Sequence, residues 1–244
     1  MKIISILLSA LLLTGNAFSM KVTAQSWLVA DANGKIIQGE HMDESRSIAS
    51  ITKLMTAMVV IDAGQDPKQL LGKFTREQHI QLALVKSSNE SSIILCDKYP
   101  GGKPKCIRDM NEKAYSIGMH NTKFVEASGL SPMNISTAKD LLHLAFAASY
   151  YPDIVQASQT SQVKIQLKKK WLLFNNTNPI IGKRHKFIVS KTGTTTAAGG
   201  CIVMMLDTDI GRRVVVVLGS KNGRTRIPEA EFIALQEYQL ENSI

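Results

Sequence analysis

The sequence predicts a mixed α and β fold: an antiparallel sheet flanked by helices, plus a helical lobe. Three observations carry this. Two apolar runs, SWLVAD and KIIQG, stand on either side of Ala32-Asn33-Gly34, and Asn-Gly between such runs marks a β-hairpin. From 67 to about 158 the apolar spacing is helical. Beyond Gln162 it changes to β-branched or alternating runs, VKIQL, WLLFNN, KFIVSK, GGCIVMMLD and RRVVVVLGS, separated by turns. The first hairpin and the last strands are expected to share one sheet, with the first and last helices over its faces. A cleft between the sheet edge and the helical lobe is then the place for a ligand.

Residues 1–24 have the make-up of an export signal: Lys2, the apolar core IISILLSALLL, then small residues, with cleavage after Ser19 or Ala24. The core is too short to span a bilayer, and no later stretch approaches the roughly 18 apolar residues of a span. No integral membrane association is therefore expected, and residues 25–244 are expected to form one unit outside the cytoplasm, with a helical lobe at about 65–160 inserted into the α/β lobe. LMTAMVVIDAG reads as a helix ending near Gly64. KQLLGKF is read as helical too, and TREQHIQLALV follows with Thr75 as cap and Gln78 three residues on, a capping box. ESSIILCDKY stops at Pro100-Gly101-Gly102, and PKCIRDMNEKAYSIGM ends in a helix-terminating glycine. The loop HNTKFVEASGLSPMN leads to TAKDLLHLAFAASYY. The last segment, PEAEFIALQEYQLE, is an acidic amphipathic helix suited to packing on the sheet.

The formal charge of +9 falls to +7 once Lys2 and Lys21 leave with the signal. Apart from the runs at 168–170 and 183–186 the positive residues are scattered, and aromatics make up only 6%, so nucleic-acid binding gains little support. A solvated cationic face is the default, and attraction to a carboxylate-rich polymer is the secondary reading. Cys96 and Cys106 flank KYPGGKP; an oxidising compartment would allow them to pair, and their spacing leaves the matter open. Cys201 lies in an apolar strand, where a buried thiol is the common case. No cluster has zinc-ligand spacing, the five histidines are scattered, and no cofactor or metal is expected.

Chemistry concentrates at Ser50-Ile51-Thr52-Lys53. Residues three apart share a helix face, so Lys53 can reach the Ser50 hydroxyl, a nucleophile-and-base pair at the mouth of a helix whose free N–H groups favour a developing oxyanion. Burial would lower the lysine pKa and make it a base. S-x-x-K also occurs at Ser136, where the hydroxyl is read as a helix cap, and at Ser161, before a strand in which positions three apart diverge. Ser87-Ser88-Asn89 falls at a turn between helices, where capping is the plain alternative. Lys191-Thr192-Gly193 ends a strand. There is no G-x-S-x-G elbow, which disfavours a Ser-His-Asp hydrolase.

S-x-x-K, S-x-N and K-T-G in this order resemble the signature of β-lactamases and penicillin-binding proteins. With SITKLMTAMVVIDA, VKSSNESSIILC, YPGG, IRDMNEKAYSIGMHNTKFVEASGLSPMNISTAKDL, FNNTNPI and SKTGTTTAAGGCIVMM, the chain from about Trp27 onward is similar to the low-molecular-mass penicillin-binding proteins, the D-alanyl-D-alanine carboxypeptidase/endopeptidase family. It resembles most the endopeptidase (penicillin-binding protein 7) branch. The resemblance implies a β-lactamase/transpeptidase-like fold and a periplasmic serine peptidase that cuts D-alanyl-meso-diaminopimelate cross-links in peptidoglycan peptide stems, with β-lactam antibiotics as covalent inhibitors. It implies Ser50 as nucleophile, Lys53 as base and Ser87 as proton relay. Asn89 would hold the substrate amide, Lys191 would add positive potential, and Thr192 and Thr194 would bond substrate, including a carboxylate. Gly193 would keep the strand edge clear, and the N–H groups of Ser50 and Thr194 would form the oxyanion hole. Two departures stand out: Ser88 occupies the place of the β-lactamase Asp, and Thr194 that of a His found in some carboxypeptidases. Either Arg224 or Arg226 could assist carboxylate binding. The alternatives are a D-alanyl-D-alanine carboxypeptidase, a β-lactamase, or, from a different class, a non-catalytic penicillin-binding wall sensor.

Overall fold

The structure is a computed structural model and describes residues 20–236. Most of the expected export signal (1–19) and the end of the last expected helix (237–241) lie outside the described residues. In chain order the elements are β1 (Ser26–Ala30), β2 (Ile36–Glu40), β3 (Arg46–Ser47), a 3-10 turn (Ala49–Ile51) and α1 (Thr52–Asp62). Next come β4 (Leu70–Leu71), β5 (Phe74–Thr75), α2 (Arg76–Leu84), α3 (Asn89–Asp97), α4 (Gly102–Ser116), β6 (Ile135–Ser136), α5 (Ala138–Ala148) and α6 (Pro152–Gln159). The last described elements are β7 (Gln162–Leu167), β8 (Lys170–Asn175), β9 (Lys186–Thr195), β10 (Gly199–Thr208), β11 (Gly211–Ser220) and α7 (Arg226–Leu235).

The main sheet is antiparallel and runs β2-β1-β11-β10-β9, so the opening hairpin joins the closing strands as expected. β1 and β11 pair from Ser26 opposite Leu218 to Ala30 opposite Val214. With period-two alternation, Trp27, Val29, Val215 and Val217 turn to one face, where Ile227, Ala230, Ile233 and Ala234 of α7 cover them. Leu28, Ala30, Val214, Val216 and Leu218 turn to the other, and join the larger core with the remaining helices. Strands sealed on both faces lose the polar alternation of a half-exposed sheet, which is why VVVVL reads as an unbroken apolar run.

Three expectations are corrected. α5, not α1, packs across β1, β10 and β11; α1 is buried from Thr52 through Val60 and runs through the middle of the helical lobe, as a helix apolar on every side must. KQLLGKF is a tight hairpin, because Gly72 takes φ +79 and the turn it permits pairs Leu71 with Phe74. The cap of α5 is Thr137, whose side chain accepts from Asp140 N at 3.0 Å, while the Ser136 hydroxyl bonds Thr122. The Thr75–Gln78 capping box of α2 forms as the sequence implies. Cys96 and Cys106 are bonded, with Cα atoms 5.4 Å apart, and tie α3 to α4. Cys201 is a buried free thiol whose pKa burial pushes up to about 11, an unreactive state.

β9 is the sheet edge that faces the lobe. α6 caps its first half: Ser190 N donates to Ser158 Oγ at 2.9 Å, and Gln159 Nε2 donates to Phe187 O at 2.9 Å. Since N–H direction repeats every second residue of a strand, Thr192 and Thr194 turn their N–H groups to that same edge, beyond the reach of α6.

Candidate active site

Ser50 lies in the 3-10 turn two residues before the start of α1, so its backbone N–H is among those at the helix mouth with no partner inside the helix. The turn is tight on both sides. Ala49 takes φ +46, a left-handed conformation that costs a residue with a Cβ of order 1–3 kcal/mol. Behind it, a Cβ on Gly129 would fall 1.9 Å from Ala49 O; in front, a Cβ on Gly193 would fall 2.9 Å from Ser50 N. Both glycines are therefore demanded by close approach of backbones, and Gly193 brings the end of β9 directly against the serine.

Lys53 is fully buried, and its Nζ reaches the Ser50 Oγ at 2.7 Å. It also donates to Asn89 Oδ1 at 2.8 Å and to the Ser128 carbonyl. Burial lowers its pKa from 10.5 to about 7, against the nearby Glu126 carboxylate, which raises it. The two carbonyl partners can only accept. A neutral amine has two N–H donors and one lone pair, so with both donors committed to Asn89 and Ser128 the lone pair faces the Ser50 hydroxyl.

The Ser128 carbonyl is itself fixed by a loop that the sequence motifs do not reveal. Glu126 Oε2 accepts from Ser128 N at 2.7 Å and from Ser128 Oγ at 2.5 Å, while Oε1 accepts from Gly129 N and from Asn134 Nδ2, the latter at 2.9 Å. Asn134, fully buried, also donates to Thr52 Oγ1 at 3.1 Å and accepts from Val125 N at 2.8 Å. The only trace in the sequence is a carboxylate two residues ahead of Ser-Gly inside a polar loop.

The second and third motifs meet across the cleft. Ser87 takes φ +59, and its Oγ accepts from Lys191 Nζ at 2.9 Å. Ser88, the residue that departs from the family pattern, caps α3 by accepting from Ser91 N at 3.1 Å. Capping thus belongs to the middle residue, which leaves Ser87 and Asn89 to the two lysines. Burial depresses the Lys191 pKa well below its usual range, with the positive fields of Lys53 and Arg226 adding to the effect. Thr192 Oγ1 donates to Thr177 at 2.7 Å. Arg226, buried at the start of α7, donates to the Gly193 carbonyl at 3.2 Å and to the Thr194 hydroxyl; Arg224 is exposed. Between the two arginines, then, it is Arg226 that joins the cleft. Among the described residues no group of His, Cys, Asp and Glu could hold a metal ion.

A family model described as D-alanyl-D-alanine carboxypeptidase, peptidase S11, matches residues 14–71 and 67–222. The chain is 39% identical over 208 residues to a D-alanyl-D-alanine endopeptidase of Escherichia coli, covering 75% of this chain and 67% of that protein. It is 37% identical over 242 residues to a D-alanyl-D-alanine endopeptidase of Pseudomonas aeruginosa, covering 88% and 77%. Among solved structures, penicillin-binding protein D2 of Listeria monocytogenes in its cefotaxime-bound form superposes with a TM-score of 0.77 at 24% identity, over 88% of this chain and 97% of that one. That likeness establishes the penicillin-binding fold.

Proposed function

Since the chain belongs to the D-alanyl-D-alanine carboxypeptidase family and is a serine D-Ala-D-Ala peptidase, we propose that it is an exported DD-endopeptidase. Its substrate is the D-alanyl-meso-diaminopimelate cross-link of peptidoglycan, cut through an acyl-enzyme on Ser50. The observation that carries the mechanism is the 2.7 Å contact between Ser50 Oγ and a buried Lys53 amine whose other neighbours only accept. Neutral Lys53 takes the hydroxyl proton as Ser50 Oγ bonds to the D-alanine carbonyl carbon. The oxyanion rests on the N–H groups of Ser50 and Thr194. When the C–N bond breaks, the leaving amine needs a proton, and Ser87, held by Lys191, relays the one that Lys53 took up, which returns Lys53 to the neutral amine. Water then attacks the ester with Lys53 again as base, which frees Ser50. Asn89 orients the substrate amide. Thr192 and Thr194, with Arg226 beside them, receive the carboxylate next to the leaving amine, and Gly193 lets the peptide lie along β9 as an added strand.

The endopeptidase assignment draws on the names of the two relatives at 37% and 39% identity; the family model's own description favours carboxypeptidase action as the second reading. Digestion of intact sacculi, with chromatography of the muropeptides, separates the two. Loss of cross-linked dimers is expected, and release of free D-alanine alone would establish the carboxypeptidase. A β-lactam should acylate the same serine, so Ser50→Ala should abolish both turnover and labelling by a fluorescent penicillin. Labelled mutant protein would remove Ser50 from the mechanism.

A further inference from the structure

β7 and β8 form a two-stranded ribbon outside the main sheet. Its register sets Lys164 opposite Leu173 and Gln166 opposite Trp171, with Lys168 and Lys169 at the turn. The faces differ sharply. Val163 and Ile165 are buried, and Phe174 on that inner face lines, together with Ser87 and Ser88, a cavity of about 350 Å³. On the outer face Trp171 is 63% and Leu173 57% exposed, set among Lys164, Gln162, Gln166 and Asn175. The ammonium groups of Lys164, Lys168, Lys169 and Lys170 have no hydrogen-bond or ion-pair partner among the described residues. Val163 and Ile165 anchor the ribbon from its inner face, and a tryptophan turned outward adds nothing to that anchorage. Lysines alone would serve to keep an edge ribbon from aggregating.

We infer that this outer face is a docking ledge for the glycan strands of the wall polymer, outside the cleft in which the peptide is cut. The indole of Trp171 would stack on the C–H face of a pyranose ring, the neighbouring amide side chains would bond its hydroxyl and acetamido groups, and the lysines would meet carboxylates of the attached peptides. Two observations select this occupant. The ribbon's base adjoins the site, since Thr177, just after β8, donates to Val85 O two residues before Ser87, and Phe174 and Ser87 border one cavity, so the ledge stands on the far side of a ribbon rooted beside the cleft. The chemistry also matches: cations and amides surround only two large apolar side chains, which suits a sugar chain that carries anionic peptides better than acyl chains. The inference rests on peptidoglycan being the substrate.

The test compares Trp171→Ala, and separately Lys168→Ala/Lys169→Ala/Lys170→Ala, with the parent protein, all in a Ser50→Ala background so that the wall is not digested. Cosedimentation with intact sacculi should weaken about ten-fold for Trp171→Ala, the size of loss a contact-centre tryptophan commonly brings. It should also become less salt-sensitive for the lysine variant. With Ser50 restored, both variants should turn over a soluble D-alanyl-D-alanine peptide and react with a penicillin within about two-fold of the parent, since exposed substitutions away from the site change little. Unchanged sacculus binding overturns the inference, as does an equal loss of soluble turnover. Binding that follows anionic phospholipid vesicles rather than sacculi, or variants that turn a dimer into a monomer, would also overturn it. Failure of the peptidase reading looks different: no soluble turnover and no acylation in the parent, whatever the ledge does.

Discussion

Glu126→Gln tests whether a carboxylate outside all three motifs sets up Lys53 as the proposed general base. Glu126 accepts from four donors, Ser128 N, Ser128 Oγ, Gly129 N and Asn134 Nδ2. A glutamine offers one carbonyl oxygen, so whichever way its amide turns, two of those donors face an NH2 group. The Ser128 hydroxyl can rotate to accept, but a backbone N–H is then left unmatched, at about 1–3 kcal/mol, and the surviving bonds lose their charge-assisted strength. A total near 3 kcal/mol follows, which for a chain of this length lowers Tm by about 6–12 °C. The electrostatic consequence has a definite sign. Glu126 raises the Lys53 pKa, so its removal lets burial carry that pKa further below about 7. Lys53 must be neutral to take the Ser50 proton, so the rate of acylation by a penicillin should rise with pH through about 7 in the wild type. In the variant that rise should move to lower pH. Its plateau should meanwhile fall by about 10- to 100-fold, because the Ser128 carbonyl that orients Lys53 loses its support. Stopped-flow acylation from pH 5 to 10 reads both quantities. A rise that stays in place or moves to higher pH would refute the coupling of Glu126 to Lys53.

Gly193→Ala should keep the fold and lose roughly 100-fold in acylation, since the new Cβ would stand 2.9 Å from Ser50 N and 3.0 Å from Ile48 O, both backbone atoms that move only with the turn or the strand; unchanged acylation would show that the strand edge yields freely. Ser88→Ala removes the α3 cap and should lower stability by about 1 kcal/mol in denaturant titration while acylation stays within about two-fold. A collapse of its rate would give Ser88 a chemical part. Cys96→Ser opens the link to Cys106 across a sequence separation of 10 and should reduce unfolding free energy by about 3 kcal/mol, with wild-type protein in reductant giving the same loss; equal stability of the two forms would count against a stabilising disulfide.

Local chemistry was legible in the chain where one contact range dominates. The Asn33-Gly34 hairpin, the Thr75–Gln78 box and the sealed strands each depend on neighbours in sequence or on a simple period. KQLLGKF misled because its leucine spacing fits a helix, while the positive φ open to Gly72 decides for a turn. The place of α1 was not legible for a related reason: an all-apolar helix has no preferred face, so nothing in its pattern says whether sheet or helices will surround it. The contacts of Lys53 with Ser50 and of Lys191 with Ser87 could be anticipated because a motif ties residue type to spacing. Glu126, Ser128 and Asn134 could not, since they reach Lys53 and Thr52 across about 75 to 82 intervening positions through a loop with no periodicity. The choice between Arg224 and Arg226 likewise needed the turn before α7, which buries one and leaves the other in solvent.

The two lysines of the site are distinguished by what surrounds them rather than by their depth. Lys53 has a carboxylate, Glu126, working against its burial, and settles near neutrality, where an amine can both take and return a proton. Lys191 is as deeply buried, with Lys53 and Arg226 as charged neighbours, and no carboxylate raises its pKa among the described residues. An anionic group entering between Lys191, Thr194 and Arg226 would relieve that repulsion, since an opposite charge within a few ångströms favours the protonated amine. A substrate that brings a carboxylate beside its leaving amine would then charge Lys191 as it binds, and the ammonium would hold Ser87 in place to pass the proton taken up by Lys53 to the amine as the C–N bond breaks.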